Sequence, residues 1–309
     1  MATATLLLPA RSRLAAGAWP QDVARAFGRA DHRHVAAGEG PQLRRHFALV
    51  ADDEGAWPVA ALTRQLDAGD AGAATWLRAD PACVVPDMHG ARMMGHGDTL
   101  QPGSADVDAL LPALQPLFAE QGMHLEAPVP SRWYLRIPPG LGLPDFAGAD
   151  AVLGDDLFLH LPTGSAGRCW RALLTETQVV LHAHPWNARR VADGRRPINS
   201  LWFWGAGRLP ERVTTQHAQV RSPDALLRAL AVAAGVPLDG EPAADALVDL
   251  RRLRATQALA EEALRPLLDA LRRGELRALQ LDFEDGLQVR ITAAQRWRLW
   301  RKPLSLDAA

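Results

Sequence analysis

This 309-residue sequence has very little cysteine, lysine or tyrosine, and no charge of one sign prevails. Two cysteines, Cys83 and Cys169, are too few for a disulfide framework or a four-thiolate zinc site, and they fit a reducing compartment. The single lysine, Lys302, stands near the C-terminus, so no Gly-Lys-Ser/Thr phosphate loop can be written. The 34 basic and 35 acidic side chains leave a formal net charge of -1. A near-neutral chain has no global field for a polyanion, which excludes a dedicated nucleic-acid binder or a polybasic membrane anchor. No apolar run approaches the roughly 18 residues that span a bilayer. Met1 to Pro9 has neither the basic start nor the apolar length of a signal peptide, so the expected address is the cytoplasm.

What the chain does have is 48% hydrophobic residues, enough for one large core or two modest ones. It also has 33 arginines, whose guanidinium forks suit phosphate and carboxylate, and 10 tryptophans against 1 tyrosine. Any charge-based site must be local.

Along the chain, Thr5 to Leu8 reads as an opening strand closed by Pro9. Residues 11–46 are rich in Arg and His, with a helix from Gln21 to Phe27. They read either as a basic flap over an anionic ligand or as a solvated, partly mobile segment. Ala56 to Gln65 has helical spacing, and Trp76 to Val85 is strand-like with a break at Pro81. Ser104 reads as the cap of an amphipathic helix carrying Leu110, Leu114 and Phe118. Arg132 to Ile137 and Leu157 to Leu161 are strand candidates, and Trp170 to Leu181 is a helix stopped before Pro185. A two-turn helix follows, with Asn187 as its cap and Gly194 as its left-handed stop, then a strand from Ile198 to Trp204. Ser222 caps a further helix. A long helix is expected over 249–273, then a hairpin of Leu276 to Phe283 and Leu287 to Ile291 through Glu284-Asp285-Gly286. Trp297-Arg-Leu-Trp300-Arg301 reads as a terminal helix that docks its tryptophans. Helices and strands alternate without a repeat, so the class is α/β, with a core over 1–240 and a helix-plus-hairpin piece over 241–309 packed on it.

The densest cluster of unusual residues runs from His182 to Gly207. There a strand enters a Gly205-Ala-Gly207 turn beside Arg189, Arg190, Arg195 and Arg196. Amides of such a turn, with arginine forks nearby, suit a phosphate or carboxylate. The same spacing is equally what a chain reversal and a tryptophan-filled core would use. A dinucleotide fingerprint would need glycine where Pro210 stands. Arg78-Ala-Asp80 reads as an internal ion pair. Asp87 with His89, His96 with Asp98, and His182 with His184 each place two ligand types two residues apart, but chance produces such pairs among 10 histidines. No metal or other cofactor is expected. No Gly-x-Ser-x-Gly elbow occurs.

The stretch His184-Pro-Trp-Asn187-Ala-Arg-Arg190, Gly194, Pro197, Asn199, Gly205 and Gly207 resembles a segment of the archaeal-type, cofactor-independent phosphoglycerate mutases. With Trp76 to Pro81, Arg132 to Leu135 and the total length, the whole chain is similar to proteobacterial proteins labelled phosphoglycerate mutase or Rpf-type regulatory protein. The resemblance implies a mixed sheet flanked by helices, a reduced alkaline-phosphatase-like core. In the mutases it also implies a two-metal centre with a serine nucleophile. Here the first strand runs into Pro9-Ala10-Arg11 where that superfamily has Asp-Gly, and Gly97-Asp98-Thr99 lacks the histidine of Gly-Asp-His. Without a two-metal clamp, phosphoryl transfer loses its main charge stabilisation.

The expected protein is therefore a mutase relative that has lost catalysis and senses a small anionic metabolite in a regulatory role. His184, Asn187, Arg190, Asn199, Gly205 and Gly207 form its ligand-facing surface, with Arg190 as the fork. One alternative is an active mutase or related metal-dependent phosphatase with ligands relocated to Asp80, Asp87, His89, His182 and His184. The other is a protein-interaction scaffold, pairing with itself or with a regulatory partner through the 249–273 helix or exposed tryptophans.

Overall fold

The computed structural model describes residues 2–50, 57–88, 90–238 and 245–306. Its strands, in chain order, are β1 (Ala2–Leu8), β2 (Asp31–His34), β3 (Phe47–Val50), β4 (Thr75–Asp87), β5 (Gly90–His96), β6 (His124–Val129), β7 (Arg132–Ile137), β8 (Ser200–Arg208), β9 (Arg212–Thr215), β10 (Gln219–Arg221), β11 (Ala246–Asp249), β12 (Leu276–Phe283) and β13 (Leu287–Thr292). The helices are α1 (Gln21–Arg29), α2 (Glu39–Arg44), α3 (Val59–Ala68), α4 (Ser104–Ala119), α5 (Ala149–Val152), α6 (Gly164–His182), α7 (Pro185–Ala192), α8 (Ala225–Ala233), α9 (Thr256–Ala258) and α10 (Arg265–Arg273). Among the described residues no helix is long and apolar enough to cross a membrane.

The chain divides into two compact units, Met1–Asp52 with Glu211–Ala309, and Asp53–Pro210. This is not the expected division near residue 240. The reason is pairing: β1 is flanked by β11 on one side and β12 on the other, so C-terminal residues complete the first strand's own sheet.

The first unit holds a mixed sheet in the order β10-β11-β1-β12-β13-β2. β10, β11, β1 and β12 run parallel, and β13 and β2 are added antiparallel. One face is apolar, because alternate residues of a strand share a face. It sets Leu6, Leu8, Leu279, Leu281, Phe283, Val289 and Ile291 against Val23 and Phe27 of α1 and Leu268 and Leu271 of α10. The hairpin forms as its Asp-Gly turn predicts, with Gly286 at φ +87°. The Arg/His-rich 11–46 segment is not a loose flap, since α1, β2 and α2 take it up and α1 buries Val23, Ala24 and Phe27. The long helix begins at Thr256 rather than 249, because Ala246–Asp249 is drawn into the sheet. It passes through a π-helical turn at Leu259–Leu264. Asp224 replaces Ser222 as the cap of α8, accepting from the Leu227 N–H at 2.9 Å while the Ser222 hydroxyl donates to Asp249. The C-terminal tryptophans do not dock: Ala293–Trp297 is one 3-10 turn, with Trp297 67% and Trp300 77% exposed.

The second unit is built on an antiparallel sheet in which β4 pairs with β5, β7 and β8, and β7 with β6. Pro81 does not break β4. Leu77 and Ala79 join a core with Leu110, Leu114 and Phe118 of α4 and Trp170, Leu173 and Leu174 of α6. Leu157–His160 is a 3-10 turn rather than a strand, because Asp156 caps it through the Phe158 N–H at 3.1 Å. Gly103, not Ser104, is the N-cap of α4, with its N–H donating to the Asp106 carboxylate at 2.7 Å. The residues 51–56, His89 and 239–244 fall outside the described chain.

Candidate functional site

In the second unit α6 ends at His182, Pro185 opens α7, and Gly194 at φ +72° stops it. The cap of α7 is His184, half-buried, whose Nδ1 accepts from the Trp186 N–H at 3.2 Å. Asn187 is not the cap: Pro185 already sets the first helical φ, and the Asn187 side chain turns inward. Its Nδ2 donates to the carbonyls of Leu181 and Ile198, both at 2.8 Å, and its Oδ1 accepts from the Ile198 N–H at 2.8 Å. Asn187 thus ties the end of α6 to the entry of β8.

Arg190 is 1% exposed. Its Nε donates to the Arg196 carbonyl at 2.9 Å, one Nη to the Leu100 carbonyl at 2.8 Å, and the other lies 2.7 Å from the Asp106 carboxylate. Arg195 and the indole of Trp186 reach the same carboxylate at 2.8 and 2.7 Å. Burial alone would raise the Asp106 carboxyl, but hydrogen bonds from Trp186, Gly103, Arg190 and Arg195 outweigh it and hold it at about 2. Half-buried Asn199 pairs with one residue, its Oδ1 accepting from the Val84 N–H and its Nδ2 donating to the Val84 carbonyl, each at 2.8 Å. The Gly205 to Gly207 segment is no turn. Both glycines lie inside β8, where a Cβ on Gly205 would sit 2.9 Å from Val59 Cβ and one on Gly207 2.5 Å from Pro58 Cβ. They let the start of α3 approach the strand.

The expected Arg78–Asp80 pair forms, buried, with two contacts at 2.9 Å and the Trp204 indole donating to Asp80 at 2.8 Å. Asp80 is thereby committed, while Asp87 is exposed and held by Arg92. His182 is exposed at the end of α6, and His89 lies outside the described residues. Among the described residues no three His, Cys, Asp or Glu side chains gather as a metal ion would require. Among the described residues there is thus no donor set for a two-metal centre.

The first unit holds a cluster that spacing did not reveal. Asp282, near the carboxyl end of β12, is 2% exposed. Arg45 grips it through both oxygens at 2.9 and 2.7 Å, and the His46 Nε2 donates to it at 2.8 Å. A carboxylate only accepts, so His46 Nδ1 is left to face His217 Nε2 at 3.0 Å. Burial foremost, and then His46, push His217 down to about 4, so it is neutral at pH 7. Burial works against the Asp282 charge, yet His46 and Arg45 hold the carboxyl below the ordinary range. Such a carboxylate-imidazole-imidazole chain can carry a proton. His46 and His217 are 171 residues apart, and His46 and Asp282 are 236 apart, so only folding assembles them. The one local signal is that Gln280 and Asp282 alternate with Leu279, Leu281 and Phe283, which reads as an ordinary solvent face.

No family model matches the chain. A 95-residue segment is 34% identical to the 2,3-bisphosphoglycerate-independent phosphoglycerate mutase of Methanosarcina acetivorans, covering 29% of this chain and 24% of that one. An 85-residue segment is 32% identical to the probable enzyme of that name from Geobacter sulfurreducens, covering 28% and 21%. The matched segment thus spans about a quarter of these relatives. Among solved structures, the cofactor-independent phosphoglycerate mutase of Thermoplasma acidophilum aligns over 94% of this chain and 89% of that one, at TM-score 0.39 and 14% identity. The PH0037 protein of Pyrococcus horikoshii aligns over 94% and 87%, at TM-score 0.47 and 12% identity. The chain is a mixed α/β protein with distant, partial sequence similarity to cofactor-independent phosphoglycerate mutases.

Proposed function

We propose that this chain is a cytoplasmic, mutase-related protein that has kept the 184–207 module as scaffold, has lost two-metal phosphoryl transfer, and serves a regulatory role by sensing a small anionic metabolite. The observation that carries this reading is the commitment of Arg190. All three of its guanidinium nitrogens face the Arg196 and Leu100 carbonyls and Asp106, which leaves no fork for a substrate. Asn187 and Asn199 are likewise bonded to backbone. The end of β1 supports it too, since Leu8-Pro9-Ala10 has no carboxylate where the mutase superfamily has Asp-Gly.

The test is a coupled mutase assay on purified protein with 3-phosphoglycerate and added manganese, zinc or cobalt. Turnover at background is expected, together with measurable binding of an anionic metabolite by calorimetry. Metal-dependent turnover lost in an Arg190→Met variant that still folds would overturn it in favour of an active mutase. A protein-interaction scaffold is a second reading, favoured by the exposure of Trp297 and Trp300. Light scattering and tryptophan quenching test it, since a self-complex or partner complex through this tail would bury both rings.

A further inference from the structure

The second face of the first unit's sheet changes character along one row of neighbouring residues. The strand register places Val220, Leu247, Thr5, Gln280, Arg290 and Asp31 side by side across six strands. The adjacent row holds Leu7, Asp282, Gln288 and Arg33. Where the row is apolar, Leu247 and Val220 are fully buried. Toward β12, β13 and β2 the same face bears amides and charges, and a cavity of about 270 Å³ opens among Thr5, Arg33, His46, Gln280, Asp282 and Arg290.

Counting charges decides what this cavity suits. Asp282 already has Arg45 and His46, and Asp31 already has Arg298 at 2.5 Å and Gln295 at 2.9 Å. The side chains of Arg33 and Arg290 make no hydrogen bond or close ion pair among the described residues. Arg290 stands across the strand pair from Asp31 and adds to the field that lowers its carboxyl, but Arg298 and Gln295 already hold both oxygens of that carboxylate, so neither arginine is tied down. Arg33 lies opposite Gln288, and Arg290 is two residues further along β13 on the same face. Such diagonal neighbours are roughly 7–8 Å apart at the backbone, within reach of two long side chains converging on one oxyanion.

We propose that this polar sheet face is a binding site for a small oxyanion of the phosphate or carboxylate class, clamped between Arg33 and Arg290. The amides of Gln280 and Gln288 line its floor. His46 is a positioning residue: with both ring nitrogens committed to Asp282 and His217, it helps Arg45 neutralise a carboxylate that would otherwise repel the ligand. The proposal rests on the anion-sensing reading above for its ligand class.

The experiment is a calorimetric titration of the full chain with inorganic phosphate, 3-phosphoglycerate and malonate. It compares the wild type, the Arg33→Gln/Arg290→Gln double variant, and Arg168→Gln as an exposed arginine elsewhere. Both cavity arginines are exposed, so the double variant keeps its fold, which thermal melting verifies. Loss of a charge-assisted clamp weakens binding by about tenfold or more. That loss in the double variant alone supports the site, and the strongest of the three probes tells phosphate from carboxylate. Equal binding in the double variant, or equal loss in Arg168→Gln, overturns the site while leaving the sensing reading in place. Failure of all three probes to bind the wild type overturns both.

Discussion

The Arg190 guanidinium meets the Asp106 carboxylate at 2.7 Å, with each side chain only 1% exposed. It joins the last turn of α7 to the first turn of α4, and the Leu100 and Arg196 carbonyls complete the clasp. Removing one partner strands a buried charge. Arg190→Met should therefore cost about 3–5 kcal/mol of stability in urea unfolding. The Arg190→Met/Asp106→Asn pair should cost less than the two single changes together. Wild-type stability in Arg190→Met would mean that this residue is not a clasp.

Asp106 also gives the protein a signature in acid. Its folded-state value of about 2 lies below the ordinary 3.8, so its contribution is complete above the unfolded value and is lost as pH falls through the folded one. Stability should drop by about 2 kcal/mol between pH 4 and pH 2 from this group. Asp106→Asn should flatten that part of the profile. Chemical unfolding at a series of acid pH values reads the slope directly.

His217 shifts stability in the same direction with pH, but here the fold favours the neutral form rather than the charged one. Its folded-state value of about 4 is below the ordinary 6.5, because burial and the neighbouring His46 disfavour the imidazolium. As pH falls from about 6.5 to about 4 the unfolded chain takes up a proton that the folded chain refuses, and stability declines by up to about 3 kcal/mol. His217→Gln should remove most of that decline. NMR titration of the ring should show no protonation near pH 6, and a midpoint there would contradict the account.

Gly205 and Gly207 mark the approach of α3 to β8. Gly207→Ala places a Cβ 2.5 Å from Pro58 Cβ, and overpacking of this kind costs about 1–3 kcal/mol. Gly205→Ala adds a left-handed φ of +66° to a 2.9 Å clash with Val59, so it should be the more damaging. Thermal melts of both variants give the order, and a harmless Gly205→Ala would show that neither close packing nor backbone geometry selects glycine there.

Local elements were legible where a residue acts on its own neighbours. The hairpin at Glu284-Asp285-Gly286, the stop at Gly194 and the apolar stripe of Leu110, Leu114 and Phe118 need only short-range chemistry. Caps were less legible, because Ser104, Asn187 and Ser222 are each good cap residues while Gly103, His184 and Asp224 stand beside them in the better geometry. The 184–207 motif was found but its direction was not. An arginine and two asparagines look the same in sequence whether they face a ligand or the chain's own carbonyls.

The sequence by itself determined the α/β class, the near-neutral balance and the local character of any charge site, because composition and periodicity depend on no distant contact. Only the tertiary structure decided that Arg190 is sealed against Asp106 and that Asp282, His46 and His217 meet. It alone left the Arg33 and Arg290 side chains, among the described residues, free of a hydrogen-bonded carboxylate on one sheet face. Each depends on strands and loops far apart in the chain being brought into register, and a side chain's charge becomes available or is neutralised only by the neighbours that register supplies.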